Sequence, residues 1–250
     1  MSRINSSGFS LTLMLMLIGV VSFISISALP LAFAGTWSDG FQDAKLKDWQ
    51  LIFQFGPTTF KAEDGELSME VHSESISFLA IIDSNWWENY ILTVKVKIID
   101  MFGAFVDGGV RQDAGLNGYY FFVADRWTQV YPGVPPEGKG AFAFPWINDI
   151  VQMGKVIVFT PELDHWYILK ATTKGEHTEL YIDNKLIGAF DYAELKSGSV
   201  GLVVSNAHVH FDDFVVIGQD IPDGGPGGVS ISVGEKGKIT TLWGEIKSKQ

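Results

Sequence analysis

The chain has 250 residues, 46% of them hydrophobic, 13% aromatic and 19% charged, with a formal net charge of −11 and no cysteine. That length suits one or two domains and excludes a long repeat array. The acidic balance, with no basic patch, excludes a nucleic-acid partner, because phosphate backbones would be repelled. Without cysteine there are no disulfides, iron–sulfur clusters, Cys-ligated zinc or thiol nucleophiles. The core must therefore be large enough to hold without staples, and in an exported chain this points to a bacterial source.

Residues 1–34 open with Met1-Ser2-Arg3, continue through an apolar run from Leu11 to Ile26 and close on Ala32-Phe33-Ala34. One positive charge, an apolar stretch and an A-x-A end read as a secretory signal peptide cleaved after Ala34. The alternative is an uncleaved anchor, since the uncharged run is long enough to span a bilayer. The helix-breaking Pro30 and the small residues at 32 and 34 favour cleavage. The expected protein is secreted, periplasmic or on the cell surface, with no stable membrane insertion once the signal is removed.

From residue 35 to 218 short strand patterns follow one another. The clearest is 90–98, where Tyr90, Leu92, Val94, Val96 and Ile98 share one face and Thr93, Lys95 and Lys97 the other. That period of two marks a half-buried antiparallel strand. Similar runs occupy 49–55, 66–72, 77–82, 108–112, 119–124, 150–159, 166–173, 178–182, 185–190, 199–204 and 208–217, and turn pairs such as Asp64-Gly65, Asn117-Gly118 and Asp183-Asn184 separate them. No helical stripe interrupts them. The fold expected is all-β, a two-sheet antiparallel jelly-roll sandwich.

The segment 125–148 holds Trp127, Tyr131, Phe142, Phe144 and Trp146 among Pro132, Pro135, Pro136 and Pro145. Proline blocks regular strands, so a long loop or stiff insertion is predicted there. Its aromatics either bind a ligand or fold over a small satellite core of their own. Residues 219–250 begin with the Gly/Pro linker Asp223-Gly224-Gly225-Pro226-Gly227-Gly228 and end in a short polar tail too small to bury a core. The tail is either a free extension or a segment that docks elsewhere.

A series of short motifs accompanies the strands: Trp37-Ser38-Asp39-Gly40-Phe41, Asp48-Trp49, Glu63-Asp64-Gly65-Glu66-Leu67, Trp87-Glu88-Asn89-Tyr90, Gly108-Gly109-Val110-Arg111, Gly118-Tyr119-Tyr120, His165-Trp166-Tyr167, Leu180-Tyr181-Ile182-Asp183-Asn184 and Phe211-Asp212-Asp213-Phe214. In this order they resemble the concanavalin A-like (LamG-like) jelly-roll domain, near the bacterial 3-keto-disaccharide hydrolase branch, over residues 37–217. The resemblance implies a sugar-related function, although this superfold hosts lectins, glycanases and adhesion modules alike. The hydrolase branch carries Gly-x-Glu-x-Gln in the strand after the arginine. Here Tyr120 and Phe122 stand in those places, which favours binding over hydrolysis.

Six acids and two polar rows carry candidate chemistry. Glu66 and Glu70 lie four apart on one strand, roughly 13 Å, too far for a glycosidase pair, which needs about 5–9.5 Å. Glu70-x-His72-x-Glu74 and His208-x-His210-x-Asp212 set metal-ligating types on one face, a zinc site or a solvated polar face. Asp39 and Asp43, with Asp212 and Asp213, suit a structural calcium if the first and last strands meet, or cap turns instead. For glycan binding the expected residues are Arg111, Tyr120, Trp127 and Trp146, with Asp113 and Asn117 as hydrogen-bonding partners; Arg111 serves either a ligand or an ion pair with Asp113 or Asp125. The function expected is a secreted non-catalytic carbohydrate-binding module on the concave sheet face. The alternatives are a 3-keto-disaccharide hydrolase and a LamG-like protein-binding module.

Overall fold

The computed structural model describes residues 34–101, 106–107, 110–112, 118–128, 137–147, 150–151 and 155–227. The chain divides into two units, Met1–Phe33 and Ala34–Gln250, and everything described lies in the second. Its strands are β1 (Gly35–Asp39), β2 (Trp49–Phe55), β3 (Thr58–Glu63), β4 (Glu66–Ile81), β5 (Tyr90–Met101), β6 (Val106–Asp107), β7 (Val110–Gln112) and β8 (Gly118–Thr128). They continue with β9 (Glu137–Ile147), β10 (Ile150–Val151), β11 (Lys155–Val158), β12 (Trp166–Lys174), β13 (His177–Ile182), β14 (Lys185–Asp191), β15 (Ser199–Gly218) and β16 (Gly224–Gly227). There is no helix among the described residues. The architecture is an antiparallel jelly-roll β-sandwich.

The two long strands β4 and β15 run through both layers. In the front layer the order is β3, the first half of β4, the second half of β15, then β5, β12, β13 and β14. In the back layer β2 pairs with the second half of β4, which pairs with the first half of β15; β6 and β7 follow, then β8, β9, β10 and β11. Passage between layers occurs where the β15 register shifts between Ser205 and Ala207 and Asn206 takes a positive φ of 51°. Such a bulge bends a strand and lets it change sheets. The corner is pinned: Ser75 N–H donates to Asn206 Oδ1 at 3.2 Å and Ser205 Oγ donates to Ser75 O at 2.9 Å.

Alternation supplies the core. Leu67, Met69 and Val71 of β4, Leu92, Val94, Val96 and Ile98 of β5, and Ala207, Val209 and Phe211 of β15 face Tyr119, Phe121 and Val123 of β8 and Ala141 and Ala143 of β9 in one cluster. Each fully buried large side chain adds about 1.5–3 kcal/mol against exposure. At one end Trp37, Trp49 and Phe214 pack edge to face, with Trp49 and Phe214 centroids 5.0 Å apart, and the Phe41 ring lies tilted against Trp49. Of the adjacent pair Trp86 and Trp87, the first is 51% exposed and the second 2%.

Two expectations are corrected. Residues 125–148 are not one loop: β8 runs on to Thr128, and Glu137–Ile147 forms β9 despite Pro145. Pro145 pairs with Tyr119 of β8 and falls between the β11 and β10 pairings, where the other edge of β9 has no ladder partner among the described residues. A missing N–H is tolerated at such an edge. The sheet also does not end at Gly218. Ile221 is buried in the core, and Gly224–Gly227, within the expected linker, pairs with β1 as β16. Gly40 N–H donates to Gly227 O at 2.7 Å, and Thr36 N–H to Asp223 Oδ1 at 2.8 Å.

Candidate functional site

Ladder register decides which of the expected residues meet. Val110 of β7 pairs with both Tyr119 and Val200, two residues that are buried in the core. Arg111 is the next position along β7. Tyr120 pairs with Phe144 and Trp146 with Gly118. Tyr120 and Trp146 thus lie two ladder steps apart on adjacent strands, and Arg111 falls in the register shift of β7 between Val110 and Gln112, on the strand beside them. Trp127 does not join them: it pairs with Gly138 at the other end of the β8–β9 ladder, seven residues and roughly 23 Å along the strand from Tyr120. Asp113 and Asn117 lie outside the described residues, and Arg111, Tyr120 and Trp127 are described by their backbone alone. Trp146 is half-buried.

A cross-strand row that the sequence reading missed runs through the same layer. Phe53, Phe78, Val203, Asp107, Phe122 and Phe142 are successive ladder partners across β2, β4, β15, β6, β8 and β9. Phe53 and Phe78 meet edge to face at 5.8 Å. Phe78, Ala80, Val203 and Phe144 are buried, yet they stand apart from the main core. On the side of the back layer turned away from the main core, Phe78, Ala80, Val203 and Phe144 therefore form a second buried apolar group. Alternation inside β8 and β9 is visible in sequence; the six-strand alignment is not, because it needs the register of strands far apart in the chain.

Of the four acids proposed for calcium, Asp39 and the Asp212–Asp213 pair come to one end of the sandwich, since β1 pairs with the end of β15, and each of the four already holds a hydrogen bond or an ion pair. Asp39 is 2% exposed; its Oδ1 accepts from Phe41 N–H at 2.7 Å and its Oδ2 from the Trp49 indole at 2.8 Å. Burial raises its carboxyl above the ordinary value against the pull of those two bonds. Asp43 Oδ1 accepts from Lys45 N–H. Asp212 and Asp213 both pair with the Lys95 ammonium, and Asp212 Oδ1 accepts from Asp213 N–H at 2.6 Å. Among the described residues no three His, Asp or Glu side chains gather as a metal site would require.

The outer side of the front layer is polar and exposed. Lys97 lies over the Trp166 ring at 4.6 Å and Lys170 over Tyr181 at 4.1 Å. Trp166 is half-buried on this face. Burial lowers the Lys170 ammonium, and Tyr181, donating to Glu179 Oε2 at 2.7 Å, is pushed up to about 12 by burial and that carboxylate. Of the two polar rows, His72 stays beside Glu70 at 3.7 Å, whereas His208 and His210 meet, Nε2 to Nε2, at 3.3 Å. Glu66 accepts from His210 Nδ1 at 2.5 Å and pairs with Lys97 at 3.3 Å. Partial burial pushes the Glu66 carboxyl up, but His210 and Lys97 together outweigh it and hold it below the ordinary value. A carboxylate so held does not donate a proton as a glycosidase acid must.

No protein-family model and no curated protein matches the chain. Solved structures do. The carbohydrate-binding module CBM66 from Bacillus subtilis is 16% identical over 67% of this chain and 93% of its own, with a TM-score of 0.50. The apo Crh5 transglycosylase is 10% identical over 76% of this chain and 87% of its own, with a TM-score of 0.52. A structure from work on endo-acting O-glycanases, expressed by human gut microbiota to initiate mucin breakdown, is 12% identical over 73% and 98%, with a TM-score of 0.51. At such identities the likeness is one of fold, and it places the chain among jelly-roll β-sandwiches.

Proposed function

We propose that this protein is a non-catalytic carbohydrate-binding module, acting outside the cytoplasm after removal of residues 1–34, that holds glycans on the outer face of its back layer. The observation that carries the reading is the register of β8 and β9, which sets Tyr120 two ladder steps from Trp146, with Arg111 at the register shift of the neighbouring β7. Aromatic rings offer flat apolar surface to the C–H face of a sugar, and a guanidinium offers five donors to its hydroxyls. A few polar groups set in an apolar wall are the usual makeup of a small-ligand site. Trp127, at the far end of the same ladder, extends the surface toward longer chains.

The non-catalytic half of the reading is supported by the described carboxylates. Glu66 is tied to His210 and Lys97, Asp39 to Trp49 and Phe41, and Glu70 lies beside His72. The test pairs affinity with turnover. Oligosaccharide binding measured by calorimetry falls at least tenfold in Arg111→Ala or Trp146→Ala, while glycosides, 3-keto-glycosides included, remain intact after prolonged incubation. Release of a reducing end, or a partner screen in which proteins bind and glycans do not, overturns the reading.

A further inference from the structure

We propose that His208 and His210 form a binding site for a divalent transition metal of the zinc class, on the outer face of the front layer and apart from the glycan surface. Both histidines are on β15, two residues apart, and so share one side of the strand. Their rings tilt toward each other with centroids 5.1 Å apart. The Nε2 atoms are 3.3 Å apart. Two imidazole nitrogens about 2.0–2.1 Å from one tetrahedral zinc are separated by roughly 3.3 Å, so the spacing already matches the bite of a single ion.

The second observation is the carboxylate behind the pair. Glu66 Oε2 accepts a hydrogen bond from His210 Nδ1 at 2.5 Å, and the Lys97 ammonium, 3.3 Å from the same oxygen, holds that carboxylate in place. With Nδ1 carrying the hydrogen, the lone pair of neutral His210 sits on Nε2 and is aimed at His208. A carboxylate on the far nitrogen of a metal-binding histidine is the arrangement that fixes its tautomer and raises its basicity. His208 Nε2 lies 2.9 Å from Ser68 Oγ. With the hydrogen of His208 on Nδ1, its Nε2 too presents a lone pair, within reach of the Ser68 hydroxyl, and a cation between the rings relieves the repulsion of the two nitrogens.

Two neutral nitrogens suit zinc, copper or nickel and not the oxygen-seeking calcium or magnesium. Glu70 stands opposite His208 in the ladder, but no third His, Asp or Glu joins the pair among the described residues, so water completes the shell. Such a site is open rather than closed, the form that leaves coordination positions for exchange.

Titrating the full folded chain with zinc chloride tests the proposal. One ion per chain is expected, with no response to calcium. His208→Asn/His210→Asn abolishes the binding, and Glu66→Gln weakens it by about 10–100-fold, the range for loss of such a carboxylate partner. Imidazole nitrogen NMR of the unaltered chain gives a readout independent of variant folding. Zinc moves the His208 and His210 Nε2 resonances and leaves those of His72, His165 and His177 in place. No saturable zinc binding, or shifts confined to the other three histidines, overturns the proposal.

Discussion

Asp39 occupies the interior beneath Trp37 and Trp49 with both oxygens engaged, by the Phe41 N–H and the Trp49 indole. Asp39→Ala leaves two buried donors without an acceptor and is expected to cost roughly 2–4 kcal/mol, seen as a lower midpoint in urea unfolding. Glu66 makes the opposite contribution to pH dependence. Because its folded carboxyl is held below the ordinary 4.5, the stability it adds is present above that value and is lost as pH falls through the lower folded value. The group is partly exposed, so the effect is about 0.5–1 kcal/mol. Glu66→Gln is expected to flatten that part of the acid limb in denaturant curves between pH 5 and 3, and an unchanged limb contradicts the pairing. Residues of this kind were hard to assign from sequence. The sequence leaves Asp39 and Asp212 open between a cation and a turn cap, and it does not reveal that an indole and an ammonium reach them.

Strand β15 is the element on which the sandwich depends. Twenty residues long, it pairs with β4, β5, β1, β6 and β7, and its Phe211 is fully buried. Phe211→Ala is expected to cost about 3–5 kcal/mol, measurable by the same unfolding curves. In sequence it appeared as two strands, 199–204 and 208–217, because the apolar alternation breaks at Ser205-Asn206. That break is the corner between layers, so the signal was real and its meaning tertiary. β9 was hidden for a different reason: Pro145 argues against a strand unless its edge position is known. β16 was hidden by composition, since Gly-Gly-Pro-Gly reads as linker. Its docking is testable at Gly225, where φ is +80° and an added Cβ would lie 2.2 Å from Ser38 O. Gly225→Ala should therefore detach β16 and expose the β1 edge to amide exchange. Exchange at Thr36–Gly40 as slow as in the unaltered chain would show that β16 contributes nothing there.

At the scale of the molecule, the all-β sandwich was legible because period-two alternation and paired turn residues are local signals. Asp64-Gly65 and Asp183-Asn184 do sit at the tips of the hairpins joining β3 to β4 and β13 to β14, with positive φ at all four positions. The proposed ligand face was legible only in part. Arg111 and Tyr120 are close because a short connection joins their strands, whereas Trp127 and Trp146 separate to opposite ends of a ladder that sequence could not register. An elongated surface has a consequence for specificity: Trp127→Ala should weaken long oligosaccharides while leaving disaccharides unchanged, and equal loss for both would place Trp127 inside a compact pocket instead.

The measurement that bears most directly on this account is a glycan-array screen of the full chain lacking residues 1–34, beside an Arg111→Ala/Trp146→Ala variant whose fold is verified by circular dichroism. Binding to a defined set of glycans, lost in the variant, is the result expected of a carbohydrate-binding face on β7–β9. A blank array, or binding that survives in the variant, contradicts it.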